Sequence, residues 1–184
     1  MKTALVLVDI QNDYFPGGKM ELEGSITASL QARQLLGYFR EMHLPLVHVQ
    51  HTSTRPGAAF FLPNTDGVNI HEHVRPLEQE VIIPKHYPNS FRDTGLLAYL
   101  REQQIRHLVI CGMMTHMCID ATARASFDYG FECLVAEDAC ATRTLIYKGL
   151  SIPAEHVQGS FLAALNAEYA RVMSSEEIIS QLSS

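Results

Sequence analysis

The chain has 184 residues, 47% of them hydrophobic and 18% charged, with a formal net charge of −6. That length suits one well-buried core, so a single domain over residues 1–184 is expected, and the apolar fraction excludes a largely disordered chain. The negative charge, with no run rich in Lys or Arg, argues against nucleic-acid binding, and no apolar stretch is long enough to span a bilayer.

A first strand is expected over residues 2–8, where Thr3-Ala4-Leu5-Val6-Leu7-Val8 is a continuous apolar run of the kind buried on both faces. The strand begins at the N-terminus and leaves no room for a signal peptide, so a cytoplasmic location is expected. Asp9 closes the run. An acid at the carboxyl end of a central parallel strand points into the crevice where open α/β sheets bind ligands, the plainer alternative being a cap for the next turn. Ser25 is expected to cap a helix through about Glu41, with Ile26, Leu30, Leu35, Leu36 and Phe39 at helical spacing.

Strands over 46–50 and 81–83 follow, separated by an irregular segment, residues 51–80, that holds Pro56, Gly57, Pro63, Gly67 and Pro76. A loop of that size in a compact domain is usually functional. His71-x-His73 within it has metal-like spacing, although no partner ligand is evident. Lys85 ends the next apolar run, where a lysine by itself is an ordinary surface residue. A helix over 94–104, a strand over 107–111 and a helix over 115–129 come next. A strand over 131–136, a helix over 154–167, a short strand near 171–173 and a helix from Ser175 complete the pattern. Strands separated by helices imply parallel pairing through right-handed crossovers, which places Asp9, Lys85 and the turn before Cys118 at one edge of the sheet.

Cys118 sits in Cys111-Gly112-Met113-Met114-Thr115-His116-Met117-Cys118. With Thr115 as the cap, Cys118 is the third helical residue, among N–H groups without partners in the helix. Those donors and the helix dipole favour a thiolate and can hold the oxyanion formed when a carbonyl is attacked. The alternative is a small buried hydrophobe. Cys111 and Cys133 fall in core strands and Cys140 in a loop after a strand. Neither CxxC nor paired Cys/His spacing occurs, which argues against a zinc finger and for four free thiols.

Three separated segments now agree in order and spacing. Asp9 with Gln11-Asn12-Asp13 and Phe15, Lys85 with Ser90-Phe91, and Gly112-x-x-Thr115-x-x-Cys118 resemble the cysteine hydrolases that include isochorismatase-like proteins, nicotinamidases and N-carbamoyl amidohydrolases. Asp138-Ala139-Cys140-Ala141-Thr142 fits the same pattern, and the resemblance runs from residue 3 to about 179. It implies a three-layer α/β/α Rossmann-like fold with a mostly parallel sheet of about six strands. It also implies a catalytic triad of Asp9, Lys85 and Cys118, a cis peptide at Met113–Met114, and oxyanion donors at the backbone N–H groups of Met114 and Cys118.

Tyr14, Phe15, Phe60, Phe61, Phe91 and Met117 are candidates for an apolar substrate wall, with Phe15 and Phe91 singled out because they adjoin motif residues. His116 is a further candidate, either lining the site or opening its helix at the rim. The chain departs from nicotinamidases after the second strand. Val49-Gln50-His51-Thr52-Ser53-Thr54 has His51 where their metal-binding acid is expected and Ser53 where their histidine is. True isochorismatases, which cleave a vinyl ether, lack the cysteine. The expectation is therefore a metal-independent amidohydrolase without cofactor, acting on a small-molecule amide through a thioester, and assembled as a homodimer or homotetramer. The alternatives are a nicotinamidase-type, metal-dependent amidase and a catalytically silent binding subunit of the same fold.

Overall fold

The computed structural model describes residues 2–183. In chain order the elements are β1 (Thr3–Val8), α1 (Ser25–Glu41), β2 (Leu46–His51), β3 (Val81–Lys85), α2 (Leu96–Glu102), β4 (His107–Met113), α3 (Asp120–Asp128), β5 (Glu132–Ala141), β6 (Leu145–Tyr147), β7 (Leu150–Ile152), α4 (Ala154–Glu168), β8 (Arg171–Met173) and α5 (Ser175–Leu182). Six strands form one sheet in the order β3-β2-β1-β4-β5-β8, and every neighbouring pair is parallel.

The uninterrupted apolar run of β1 follows from its place in the middle of this sheet, since helices cover both faces. Leu5 and Leu7 pack with Leu35, Leu36 and Phe39 of α1 and Ile178 of α5. Ala4, Val6 and Val8 face the other way, onto Leu96 and Leu100 of α2, Ala123 of α3, and Leu162 and Leu165 of α4. The result is the three-layer α/β/α arrangement. Each fully buried Leu or Phe contributes about 1.5–3 kcal/mol relative to exposure, so these two clusters dominate the favourable side of folding. Chain order reverses between β1 and β4, and the crevice at the carboxyl ends of the strands opens there.

Gly112 marks the closest approach of those two strands. Its φ is +128°, and a Cβ at this position would run into the Val8 carbonyl. Only glycine lets β4 lie against β1 at this level, which is why the nucleophile segment begins with one.

Several local expectations differ from what is found. Ser25 does not cap α1. The capping position is Gly24 at φ 75°, and Ser25 is buried as the first helical residue. The strand at 81–83 continues to Lys85, which is buried rather than at the surface. β5 runs five residues past 136 after a bulge, so Cys140 lies in a strand paired to Gly112, not in a loop. The antiparallel β6–β7 hairpin has no counterpart in the sequence reading, because its runs are too short to show periodicity. The segment 51–80 contains two short 3-10 turns and folds back on the residues after β1 through a bridge between Gln11 and Ile70. Among the described residues no helix is long and apolar enough to cross a membrane.

Candidate active site

Four strand ends supply the site. Asp9 follows β1 in the left-handed region at φ 53°, a conformation aspartate tolerates better than most residues. Its N–H is held by the Val49 carbonyl at 3.0 Å, and its side chain is fully buried. Lys85 and His51 are the last residues of β3 and β2, paired in register. Cys118 comes from the turn after β4. There the Met114 carbonyl accepts from Met117 N at 3.0 Å and from Ile119 N at 3.2 Å, closing one turn of π-helix over Thr115–Ile119. The Met113–Met114 peptide that leads into the turn is cis.

Thr115 is the first residue of this turn and not its cap. Its hydroxyl instead donates to Gln158 Oε1 at 2.6 Å and to the Ala141 carbonyl at 3.3 Å, anchoring the turn to α4 and β5. A second anchor joins the turn's helix to the Lys85 segment. The Ser90 and Thr122 hydroxyls lie 2.7 Å apart, buried, and Ser90 N donates to Thr122 Oγ1 at 3.2 Å.

Lys85 Nζ is the hub. It lies 2.6 Å from Asp9 Oδ2. It also lies 3.2 Å from Cys118 Sγ, 3.1 Å from His51 Nδ1 and 3.0 Å from the Tyr87 carbonyl. An ammonium has three protons for these four acceptors, so one contact is always shared. Neither Asp9 oxygen makes a hydrogen bond of regular angle, so the ion pair and the facing thiol are what compensate this buried carboxylate.

Burial raises the Asp9 carboxyl pKa, and Lys85 holds it in check. Burial works against the Lys85 charge, but Asp9 foremost and Cys118 after it outweigh that effect and raise its pKa. Burial first and Asp9 second also push the Cys118 thiol up, with Lys85 pulling only partly back. The depression expected from a helix terminus is therefore overturned by the depth of the site and its carboxylate. These directions favour an ammonium at Lys85 and a neutral thiol at Cys118. His51 is held neutral, its pKa lowered to about 3 by burial and then by the neighbouring Lys85, His86 and Arg55 side chains.

The cluster opens into a cavity of about 340 Å³ lined by Tyr14, His51, Phe60, Phe61, Met114, Met117 and Cys118, among others. Of the four cysteines, only Cys118 reaches it. Residues 3–177 match the Isochorismatase domain. The chain belongs to the isochorismatase family. It is 52% identical over 179 residues to the uncharacterized isochorismatase family protein YddQ of Bacillus subtilis (strain 168), covering 97% of this chain and 99% of that one. An isochorismatase-type hydrolase structure from Oleispira antarctica superimposes with a TM-score of 0.93 at 49% identity, over 97% of this chain and 96% of that one. The N-carbamoylsarcosine amidase of Thermoplasma acidophilum is similar at a TM-score of 0.82 and 26% identity, over 96% and 98% of the two chains.

Within this isochorismatase-family site, the structure brings Asp9, Lys85 and Cys118 together, sets Met113 and Met114 at the turn, and places Tyr14, Phe60, Phe61 and Met117 in the cavity wall, but Phe15, Phe91 and His116 stay out of it. Phe15 stacks on His71 with centroids 3.5 Å apart, away from the cavity. Phe91 is buried behind Cys118, against Tyr129 and Phe131, and does not line the cavity either. His116 Nδ1 is bonded to the Thr142 hydroxyl, and its ring lies outside the lining. His71 and His73 are turned on each other and toward Ser29.

The aromatic wall is the expected Tyr14, Phe60 and Phe61 without Phe15 and Phe91, and Asp13 fixes it, its carboxylate accepting from Phe61 N at 2.6 Å. Gln11 holds His51 on both sides, accepting from its N–H and donating to its carbonyl, each at 2.8 Å. The isolated polar residues Gln11 and Asp13 after a buried strand were the available signal.

A metal such as nicotinamidases carry does not fit these residues. Asp9, His51 and Cys118 do place ligand atoms within 4.8 Å of one another. However, Lys85 Nζ contacts all three and takes the place a cation would need. Ser53 supplies its backbone N–H to the Phe61 carbonyl and is a poor substitute for histidine.

Proposed function

We propose that the protein is a cysteine amidohydrolase that cleaves a small C–N amide through a thioester on Cys118, with no metal in the step. The observation that carries the reading is one buried ammonium, Lys85, in contact with both the Asp9 carboxylate and the Cys118 sulfur at the floor of a ligand-sized cavity. Asp9 takes the thiol proton as sulfur attacks the carbonyl carbon. The carbonyl oxygen becomes an oxyanion facing the Met114 and Cys118 N–H groups at the turn after β4. Collapse of the tetrahedral species breaks the C–N bond, Asp9 returns the proton to the leaving amine, and a thioester remains. Asp9 then takes a proton from water, which attacks the thioester; the C–S bond breaks, the acid is released, and Asp9 returns the proton to the Cys118 sulfur. Lys85 stays charged throughout and offsets the negative charge shared by Asp9 and sulfur.

N-carbamoylsarcosine amidase, whose fold this chain shares, bears a name consistent with C–N cleavage. We infer a homodimer or homotetramer as well, supported by Ile146, Tyr147 and Leu150, which stand exposed on the β6–β7 hairpin. The test of function is an activity profile over primary amides, ureido acids and cyclic amides, run beside Asp9→Asn. Turnover of one of these classes, abolished in Asp9→Asn with the fold intact by circular dichroism, is the expected result. Near-normal turnover by Asp9→Asn removes it as the proton carrier.

A further inference from the structure

The cavity over Cys118 is asymmetric in charge. Its wall is largely apolar, and among the described residues no carboxylate lines it. Asp9 lies behind Cys118, buried and already paired with Lys85. Two imidazoles reach the lining. His51 is neutral, with Nδ1 taken by Lys85. His86, just after β3, is tied to the loop after β2 by Nδ1–H donating to the Thr52 carbonyl at 2.8 Å. That leaves Arg55, at the exposed mouth, as the permanently charged side chain of the lining.

Arg55 is also unspent. Elsewhere in this chain Arg40 is paired with Glu80 and Arg124 with Asp120, whereas the Arg55 guanidinium makes no hydrogen bond or ion pair with any described residue. Its backbone is not loose. Ala58 N donates to the Arg55 carbonyl at 3.2 Å, closing a turn through Pro56 and Gly57, and Ser53 N donates to Phe61 O at 2.9 Å at the base of the same loop. The loop thus holds an unpaired guanidinium over the cavity of a chain whose net charge is −6.

We propose that the substrate is a small amide bearing a carboxylate, with the carboxylate paired to Arg55 while the scissile carbonyl lies at Cys118. This rests on the amidohydrolase reading above and adds the charge of the substrate to it. A guanidinium presents two parallel N–H donors that match a carboxylate, and the aromatic wall beside it limits the water competing for them. The cavity volume suits a compact acid, with the apolar wall against the carbon skeleton between the two polar ends.

The test needs no knowledge of the substrate. Maleimidopropionate and N-propylmaleimide carry the same thiol-reactive ring and differ in one carboxylate. Their rates of labelling at Cys118 are measured by peptide mapping and divided by the rates with glutathione, for the native protein, Arg55→Gln and Arg55→Lys. The expected native preference for the anion is about five- to tenfold, falling as ionic strength rises. Arg55→Gln is expected to lose it and Arg55→Lys to keep part of it. No preference in the native protein, or a preference that Arg55→Gln leaves unchanged, overturns the proposal while leaving Cys118 as nucleophile. Labelling that never favours Cys118 over the other cysteines overturns the nucleophile assignment, and the substrate class falls with it.

Discussion

Replacing Lys85 by Met removes the cation from a carboxylate that has no exposure and no other opposite charge in contact. Met fills most of the same volume, so the loss is electrostatic and not a cavity. Breaking a buried ion pair by deleting one partner costs about 3–5 kcal/mol, because the remaining charge stays desolvated. Against a global stability of about 5–15 kcal/mol the variant still folds. With a urea dependence of about 2 kcal/mol per molar, the midpoint is expected to fall by roughly 2 M.

The pH dependence gives a second readout. Burial already raises the Asp9 pKa, and without Lys85 only the Cys118 side chain opposes that, so it rises further. A carboxyl with a folded pKa above its unfolded value binds more protons when folded, so stability falls as pH rises through that window and recovers as pH is lowered. Lys85→Met is therefore expected to regain stability relative to the native protein as pH is lowered through the raised Asp9 pKa toward the unfolded carboxyl value. Adding Asp9→Asn should make the double variant more stable than Lys85→Met alone. A midpoint shift worth less than about 1 kcal/mol, with no recovery at lower pH and no rescue by Asp9→Asn, would refute the buried pair as the organising feature of the site.

Gly112→Ala drives a Cβ into the Val8 carbonyl at a φ that L-residues avoid, and is expected to cost at least ~2 kcal/mol in urea denaturation; a neutral effect would mean that β1 and β4 are not held this closely. At Glu80 burial alone would raise the pKa, but hydrogen bonds from Arg40, the Leu77 N–H and His48 lower it to about 2. Its stabilisation is thus present above the unfolded carboxyl pKa and lost as pH falls toward 2, so Glu80→Gln should be less stable than the native protein at pH 6 and converge with it in acid, which paired denaturation curves would check. The protein is expected to purify without stoichiometric transition metal and to keep its activity after chelation, because Lys85 stands among Asp9, His51 and Cys118. About one zinc or iron per chain by elemental analysis, with activity lost on chelation and restored on return of the metal, would restore the metal-dependent reading.

The sheet was legible because strands buried on both faces read as plain apolar runs; Asp9 and Lys85 end two of those runs, but it took the resemblance of three separated segments to mark Lys85 as more than a surface residue. Cys118 was legible from the Gly112-x-x-Thr115-x-x-Cys118 spacing. What sequence hid depends on three-dimensional partners. Thr115 and Ser25 have the chemistry of caps, yet Thr115 spends its hydroxyl on Gln158 and Ser25 is buried one position inside its helix. The thiol pKa moves the opposite way from the helix-terminus argument, because a local rule cannot register that Asp9 and full burial converge on the sulfur. Phe15 and Phe91 adjoin motif residues in sequence, but Asp13 draws Phe61 over the site from 48 positions away. His51 looked like a defective metal ligand and is instead a neutral acceptor of Lys85, held by Gln11.

The most direct measurement is on Cys118 during turnover. With a substrate found in the amide panel, an acid quench followed by peptide mass spectrometry is expected to show the substrate's acyl group on Cys118 alone. Hydroxylamine should remove it, and Cys118→Ala should show neither adduct nor turnover. Sustained turnover by Cys118→Ala, or turnover of the native protein with no trapped adduct while hydroxylamine fails to divert product, would contradict thioester catalysis at this residue.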